Sequence, residues 1–172
     1  MRNTSANNTT PANIVNKGRW FEDKVKNILI RNNYVLIDNN KWIRNYAFEK
    51  DRARKREYDL VMFNTMEKEF YVIECKSHFS KDKTVSLGQV KKFNYVANNY
   101  GARKARKMIV TDTDLSASAK RYAERNNILF INGDGLGRMD KKPSTPYNPG
   151  INRMIRVGLE NIVKSLIRSY LG

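Results

Sequence analysis

The sequence predicts an α/β fold, a central mixed sheet with helices on both faces, and three observations carry that expectation. Two apolar runs, EYDLVMF and EFYVIECK, flank the polar NTMEK and read as a β-hairpin. Downstream, short apolar stretches of strand length alternate with stretches of helical period, which implies strands joined by right-handed crossovers and a sheet covered on both sides. The 172 residues are 40% hydrophobic, enough to bury the core of one domain.

The elements follow in chain order. MRNTSANNTTPANIVN has no apolar period and is rich in Asn, Thr and Ser, so residues 1–17 read as a flexible arm. From Gly18, Phe21, Val25, Ile28 and Leu29 fall on one helical stripe. YVLI is a strand, KWIRNYAFEKDRARKRE a basic and partly irregular connection, and the hairpin comes next. Leu87, Val90, Phe93 and Ala97 share a helical face, KMIVT is a buried-type strand, ASAKRYAERNN is a helix with Ser116 as N-cap, and ILFIN is the last strand. The expected order is α-β-β-β-α-β-α-β within a core domain of residues 18–140. GDG at 133–135 reads as a turn, residues 141–150 hold three prolines and form a linker, and residues 151–172 carry a helical apolar stripe from Ile151 to Tyr170.

Composition narrows the function. With 33 Lys and Arg against 17 Asp and Glu, the formal net charge is +16, which favours a polyanionic partner; nucleic acid ranks first and an acidic membrane surface last. One Cys and one His exclude a disulfide framework and a structural zinc site, and point to a reducing, cytoplasmic setting. No apolar run is long enough to span a membrane, and no signal-type segment is expected.

Charged residues interrupt the hairpin where burial is most wanted. Opposed residues in a hairpin have numbers summing to a constant, about 133 for a turn centred between Met66 and Glu67, and Asp59 and Glu74 satisfy it. The alternation of a strand puts Lys76 on the face of Glu74 and turns Cys75 away. Two neighbouring carboxylates repel unless a cation lies between them, and all-oxygen ligands favour Mg²⁺, with Mn²⁺ as an alternative. Asp59 and Glu74 would bind the ion, and Lys76 would orient a water or neutralise developing charge in phosphodiester hydrolysis. The other reading of the same three residues is a structural ion pair at a strand end.

Asp59 followed by Glu74-Cys75-Lys76 resembles the PD-(D/E)xK signature of the restriction-endonuclease-like nucleases, with Tyr58 where a proline is often found. GRWFE is similar to the first helix of that superfamily. The run from VSLGQVKKF through KMIVT and LSASAKRYAERNN to ILFINGDGL resembles the Mrr-like branch in the order of its elements, so the likeness covers about residues 18–137. The same order, with GRWFE and Gln89, is similar to archaeal Holliday junction resolvases. The resemblance implies a restriction-endonuclease-like core and a Mg²⁺-dependent DNA endonuclease. Asp59, Glu74 and Lys76 are then catalytic, Glu22 and Gln89 assist, and the metal is held by Asp59, Glu74, the Cys75 carbonyl and Glu22. Mrr-like proteins often have Gln at the position of Glu74, and they commonly carry a separate recognition domain for which this chain has no room. A structure-selective resolvase and a non-catalytic nucleic-acid-binding module are the alternative functions.

Basic residues Arg52, Arg54, Lys55 and Arg56, then Lys91, Lys92, Arg103, Lys104 and Arg106, flank the acidic site in sequence and are expected to track phosphates. His78 reads as exposed, and Cys75 as core. The C-terminal stripe is expected to pack on the core or to pair with a second subunit; a homodimer would supply two sites for two strands.

Overall fold

The computed structural model describes residues 11–43, 56–78, 83–99 and 105–142. Helix α1 (Pro11–Ile30) leads into β1 (Tyr34–Ile43), β2 (Arg56–Asn64) and β3 (Glu69–Lys76). After the two-residue β4 (Thr84–Val85) come α2 (Leu87–Asn99), β5 (Arg106–Thr111), the two-residue β6 (Asp114–Leu115), α3 (Ala117–Arg125), β7 (Ile128–Ile131) and α4 (Gly133–Lys141). The main sheet has the order β1-β2-β3-β5-β7, and β4 pairs with β6 in a small second sheet. β1, β2 and β3 are antiparallel neighbours, whereas β3, β5 and β7 run parallel. The sheet is therefore mixed, as expected.

The hairpin forms because Asn64 closes it. Its side-chain oxygen accepts from the backbone N–H of Met66 at 2.9 Å and of Glu67 at 3.1 Å. Lys68 then takes the left-handed conformation, φ 61°, that returns the chain. Pairing runs from Leu60↔Ile73 to Asn64↔Glu69, the register expected from a symmetric turn.

The two faces of the sheet have separate cores. On one, Phe21, Val25, Ile28 and Leu29 of α1 and Leu136 of α4 pack on Leu60, Met62, Tyr71, Ile73, Met108 and Val110. On the other, Val90, Phe93 and Ala97 of α2 and Ala119 and Ala123 of α3 pack on Val72, Ile109 and Ile128. Each large apolar side chain so buried contributes roughly 1.5–3 kcal/mol. This second core also contains a polar network. Asn94, buried, donates to the Tyr122 hydroxyl at 3.0 Å and to Asn126 at 3.1 Å, and accepts from Lys107 Nζ at 2.8 Å. It ties α2, α3 and β5 together, and burial lowers the Lys107 pKa.

Three boundaries differ from the sequence reading. α1 begins at Pro11, inside the stretch assigned to a flexible arm, because proline's fixed φ and missing N–H suit a first helical turn. The strand read at YVLI extends to Ile43, with a register shift between Leu36 and Asp38. GDG is not a turn: it opens α4, capped by Asn132, whose side chain accepts from Gly135 N–H at 2.9 Å. Burial of Leu136 outweighs the poor helix propensity of its glycines. Residues 1–10, the linker residues 143–150 and the C-terminal stripe lie outside the described residues, as does the dimer contact expected there.

Two of those glycines differ in what they tolerate. A Cβ at Gly133 would lie 2.4 Å from the backbone oxygen of Asp112, whereas one at Gly137 meets nothing within 4 Å. Gly133→Ala is expected to cost about 1–3 kcal/mol through forced displacement of α4. Gly137→Ala is expected to stabilise by about 1 kcal/mol through helix propensity. Urea denaturation of the two variants checks both signs.

Candidate active site

The carboxyl end of the hairpin is built by a break in a regular pattern. Leu60 packs into the core under α1, and alternation would send Tyr58 to the same side. Instead Tyr58 lies in the opposite core, 1% exposed, and its hydroxyl donates to the Val96 carbonyl of α2 at 3.2 Å. Burial, and then the charge of Glu74, push its phenol well above the ordinary tyrosine range. Regular β2–β3 pairing stops at Leu60↔Ile73, one step short of Asp59 and Glu74. Past that point a side chain replaces the ladder: Asp59 Oδ2 accepts from the Cys75 N–H at 2.6 Å.

This clasp sets Asp59 beside the end of β3. Burial, followed by the charge of Glu74, raises the Asp59 carboxyl from 3.8 to about 7; Glu22 adds a smaller push, while the Cys75 N–H and Lys76 pull it down. Glu74 and Lys76 share a face and form a salt bridge, both half-buried. Burial tends to lower the Lys76 pKa, but Glu74 and then Asp59 outweigh it and hold the ammonium above its ordinary value. Cys75 points the other way into the α1 core, as its alternation requires. Its thiol is pushed far up by burial and then by Asp59, Glu22 and Glu74, so all three carboxylates exert their charge on one buried atom. Glu22 comes from α1, half-buried beside Phe21.

The donor set can be tested against a hard divalent ion. Among the described residues no group of three or more His, Cys, Asp or Glu side chains is arranged to hold a metal by itself. Mg²⁺ keeps several waters and takes one or two carboxylates with substrate phosphates. Asp59 and Glu74 meet that lower demand, and burial, followed by the charge of Glu74, makes the Asp59 carboxylate costly in a way that a bound cation would relieve.

A second clamp steadies the lysine strand. β3 and β5 pair as far as Lys76↔Thr111. The next residue, Asp112, accepts from the Ser77 hydroxyl and from the His78 N–H at 3.0 Å. His78 is thus half-buried rather than exposed, with Nε2 enclosed and without a hydrogen-bond partner among the described residues. Asp112, Tyr58 and Ser77 escape sequence reasoning because their roles are contacts between elements. The one local signal was the Tyr at the position where the superfamily often has Pro.

Other expected residues are not gathered here. The Gln89 side-chain oxygen accepts from Ser86 N–H at 2.8 Å, and the Ser86 hydroxyl lies 3.4 Å from Gln89 N, the reciprocal capping box of a helix start. Arg106 lies at the other end of β5, paired with Glu69 at 2.9 Å and Glu67 at 3.8 Å. Lys91 and Lys92 are exposed on α2, with Lys91 over the Tyr122 ring. Arg52, Arg54, Lys55, Arg103 and Lys104 lie outside the described residues, and of Arg56 only the backbone is placed, in β2.

Asp59 titrates higher folded than unfolded, so its ionisation opposes folding: that stability is fully present below about pH 4 and is lost as pH rises through about 7. Asp59→Asn keeps an oxygen for the Cys75 N–H and removes the charge. In EDTA-treated protein it is expected to raise stability by on the order of 2–4 kcal/mol near pH 8 and to give no gain below about pH 4. Thermal melts across that range check it, and a gain independent of pH would contradict the assigned cost of ionising Asp59.

The family model Mrr_cat, described as restriction endonuclease, matches residues 15–139. No curated protein matches the sequence. Among solved structures, the protein of unknown function AF1548 is similar with TM-score 0.57 and 18% identity, over 81% of this chain and 78% of that one. Can2 from Sulfobacillus thermosulfidooxidans, in complex with cyclic tetra-adenylate, has TM-score 0.56 and 24% identity, over 76% of this chain and 36% of its own. VC1899 from Vibrio cholerae has TM-score 0.54 and 22% identity, over 78% and 35%. The chain spans about a third of the length of the last two, and all three share its fold. A sheet of this order, two acids and a lysine at the open end of its hairpin, and a family match over most of the length agree: the chain belongs to the Mrr_cat restriction endonuclease family, a nuclease family with the restriction-endonuclease-like fold.

Proposed function

We propose that the protein is a divalent-metal-dependent endonuclease that hydrolyses phosphodiester bonds in DNA. The observation that carries this reading is the gathering of Asp59, held by the Cys75 N–H at 2.6 Å, with the Glu74–Lys76 ion pair at the end of β3, where burial and then Glu74 raise the Asp59 carboxyl. Such a site is unfavourable when empty and favourable once a cation and a phosphate enter it.

Asp59 and Glu74, with the Cys75 carbonyl and Glu22, would hold Mg²⁺ or Mn²⁺. When bound, the ion supplies charge neutralisation at the phosphoryl oxygens and a water acidified enough to attack. Lys76 acts as a cation and a donor, because a pKa above its ordinary value keeps it protonated at neutral pH. Its partner here is Glu74, and the same ammonium would serve as a donor to a phosphoryl oxygen. Asp59 holds its position through the Cys75 N–H. The net charge of +16 attracts the polyanion over long range, and exposed Lys91 and Lys92 present cations on α2.

Plasmid and branched DNA, incubated with Mg²⁺ or with EDTA, test the reading. Cleavage is expected with Mg²⁺ only, and Glu74→Ala and Lys76→Ala are each expected to lower its rate by roughly 10²-fold or more with the fold retained. Cleavage unchanged by Glu74→Ala would remove the assigned site. Branched substrates cut in preference to plasmid would identify a structure-selective resolvase, and salt-sensitive binding without cutting a non-catalytic module.

A further inference from the structure

A cavity of about 300 Å³ opens between α1, α4 and the turn after β5. It lies on the α1 face of the sheet, whereas Glu74 and Lys76 alternate with Val72 and so face the α2 core. Phe21, Ile28 and Leu136 give it an apolar lining, and Trp20 stands at its rim, 59% exposed. At one end Arg31 pairs with Asp140 and Asn32 donates to the Met139 carbonyl at 3.2 Å. The groove is therefore closed where α1 and α4 both finish and opens toward Trp20 and Gly133. Leu129, 41% exposed, alternates with Ile128 and Phe130 of the other core and so lies on the groove's side of the sheet. A large exposed aromatic at the rim of an apolar groove marks an interaction surface.

We infer that its occupant is the chain's own C-terminal segment, residues 151–170, lying as a helix along the α1–α4 groove with its apolar stripe inward. The inference is independent of the nuclease reading. The course of the chain supports it first. Pro143 follows Lys142, the C-cap of α4, and cannot extend the helix, so the chain leaves α4 at the closed end of the groove. Residues 143–150, with Pro143, Pro146 and Pro149, span up to about 25 Å when extended. The nine residues of α4 are only about 14 Å long, so the connection reaches any point of the groove, and its length is ordinary for antiparallel helices. The pattern of the segment is the second support. Ile151, Met154, Ile155, Leu159 and Ile162 recur on one helical face, which the lining by Phe21, Ile28 and Leu136 can bury, while Arg153, Lys164 and Arg168 fall on the other side, toward water. The third is the tether itself. So short a connection holds the segment at an effective concentration in the millimolar range, and it fills its own groove ahead of a second copy's. Docked there, it leaves the face of Glu74 and Lys76 open.

The test uses the full chain carrying Trp42→Phe, so that Trp20 is the only indole. Its emission maximum and its quenching by acrylamide are read over a wide range of protein concentration, with circular dichroism to follow the fold. The docked segment is expected to hold the emission to the blue of the urea-unfolded chain and to cut quenching several-fold, equally at every concentration. Ile155→Asp and Leu159→Asp, on the stripe, are expected to move the emission to the red and to raise quenching while the circular dichroism of the core is kept. Val157→Asp, on the outer side of the same helix, is expected to change neither. Stripe variants that leave Trp20 unchanged would overturn the inference whatever its starting exposure, and so would a Val157→Asp protein that behaves like them. Shielding that grows with concentration would give the groove to a second copy, and shielding that appears only with anionic lipid vesicles would give the stripe to a membrane surface; either result overturns docking within the chain.

Discussion

The 2.6 Å hydrogen bond from the Cys75 amide to the Asp59 carboxylate is the constraint on which the rest of the site depends. An antiparallel ladder that continued past Leu60 and Ile73 would satisfy the Cys75 N–H with backbone. Tyr58 prevents this by turning into the core beneath α2, where its hydroxyl meets the Val96 carbonyl. A buried amide without a partner is costly, so the neighbouring acid takes the role of the missing strand. The same bond that repairs the ladder thus fixes a carboxylate beside a second one, against their repulsion.

That arrangement draws on both faces of the sheet at once. α1 delivers Glu22 while its apolar stripe fills one core; α2 anchors Tyr58 from the other. β5 holds the lysine strand through the Lys76↔Thr111 pairing and the Asp112 clamp on Ser77 and His78. Close approach of α4 to this turn demands a residue without Cβ at Gly133.

Charge is organised on two length scales. The chain as a whole is strongly basic, yet its centre is acidic, with Glu22, Asp59 and Glu74 acting on one buried thiol. Long-range attraction and short-range repulsion for a phosphate coexist, and only local neutralisation by Lys76 and a bound cation reconciles them. Not every basic residue serves the surface field: Arg106 is engaged by Glu67 and Glu69 at the opposite end of its strand.

Much of this was legible in the linear sequence. Period-2 and period-3.6 patterns determined the hairpin register, the α1 stripe and the Ser116 cap, because each depends on neighbours within a few residues or on a symmetric turn, whereas the expected opposition of Asp59 and Glu74 falls one step beyond the paired residues. Local signals misled where tertiary burial outweighed them: three glycines hid α4, and a polar stretch hid the first turns of α1. Gln89 resembled a site residue by position, yet its side chain completes a helix cap. The reversal of Tyr58, the Asp112 clamp and the cavity beside Trp20 were decided only by the folded structure. Each joins residues distant in sequence, and no local pattern encodes which of two cores a side chain enters once a strand twists out of its ladder.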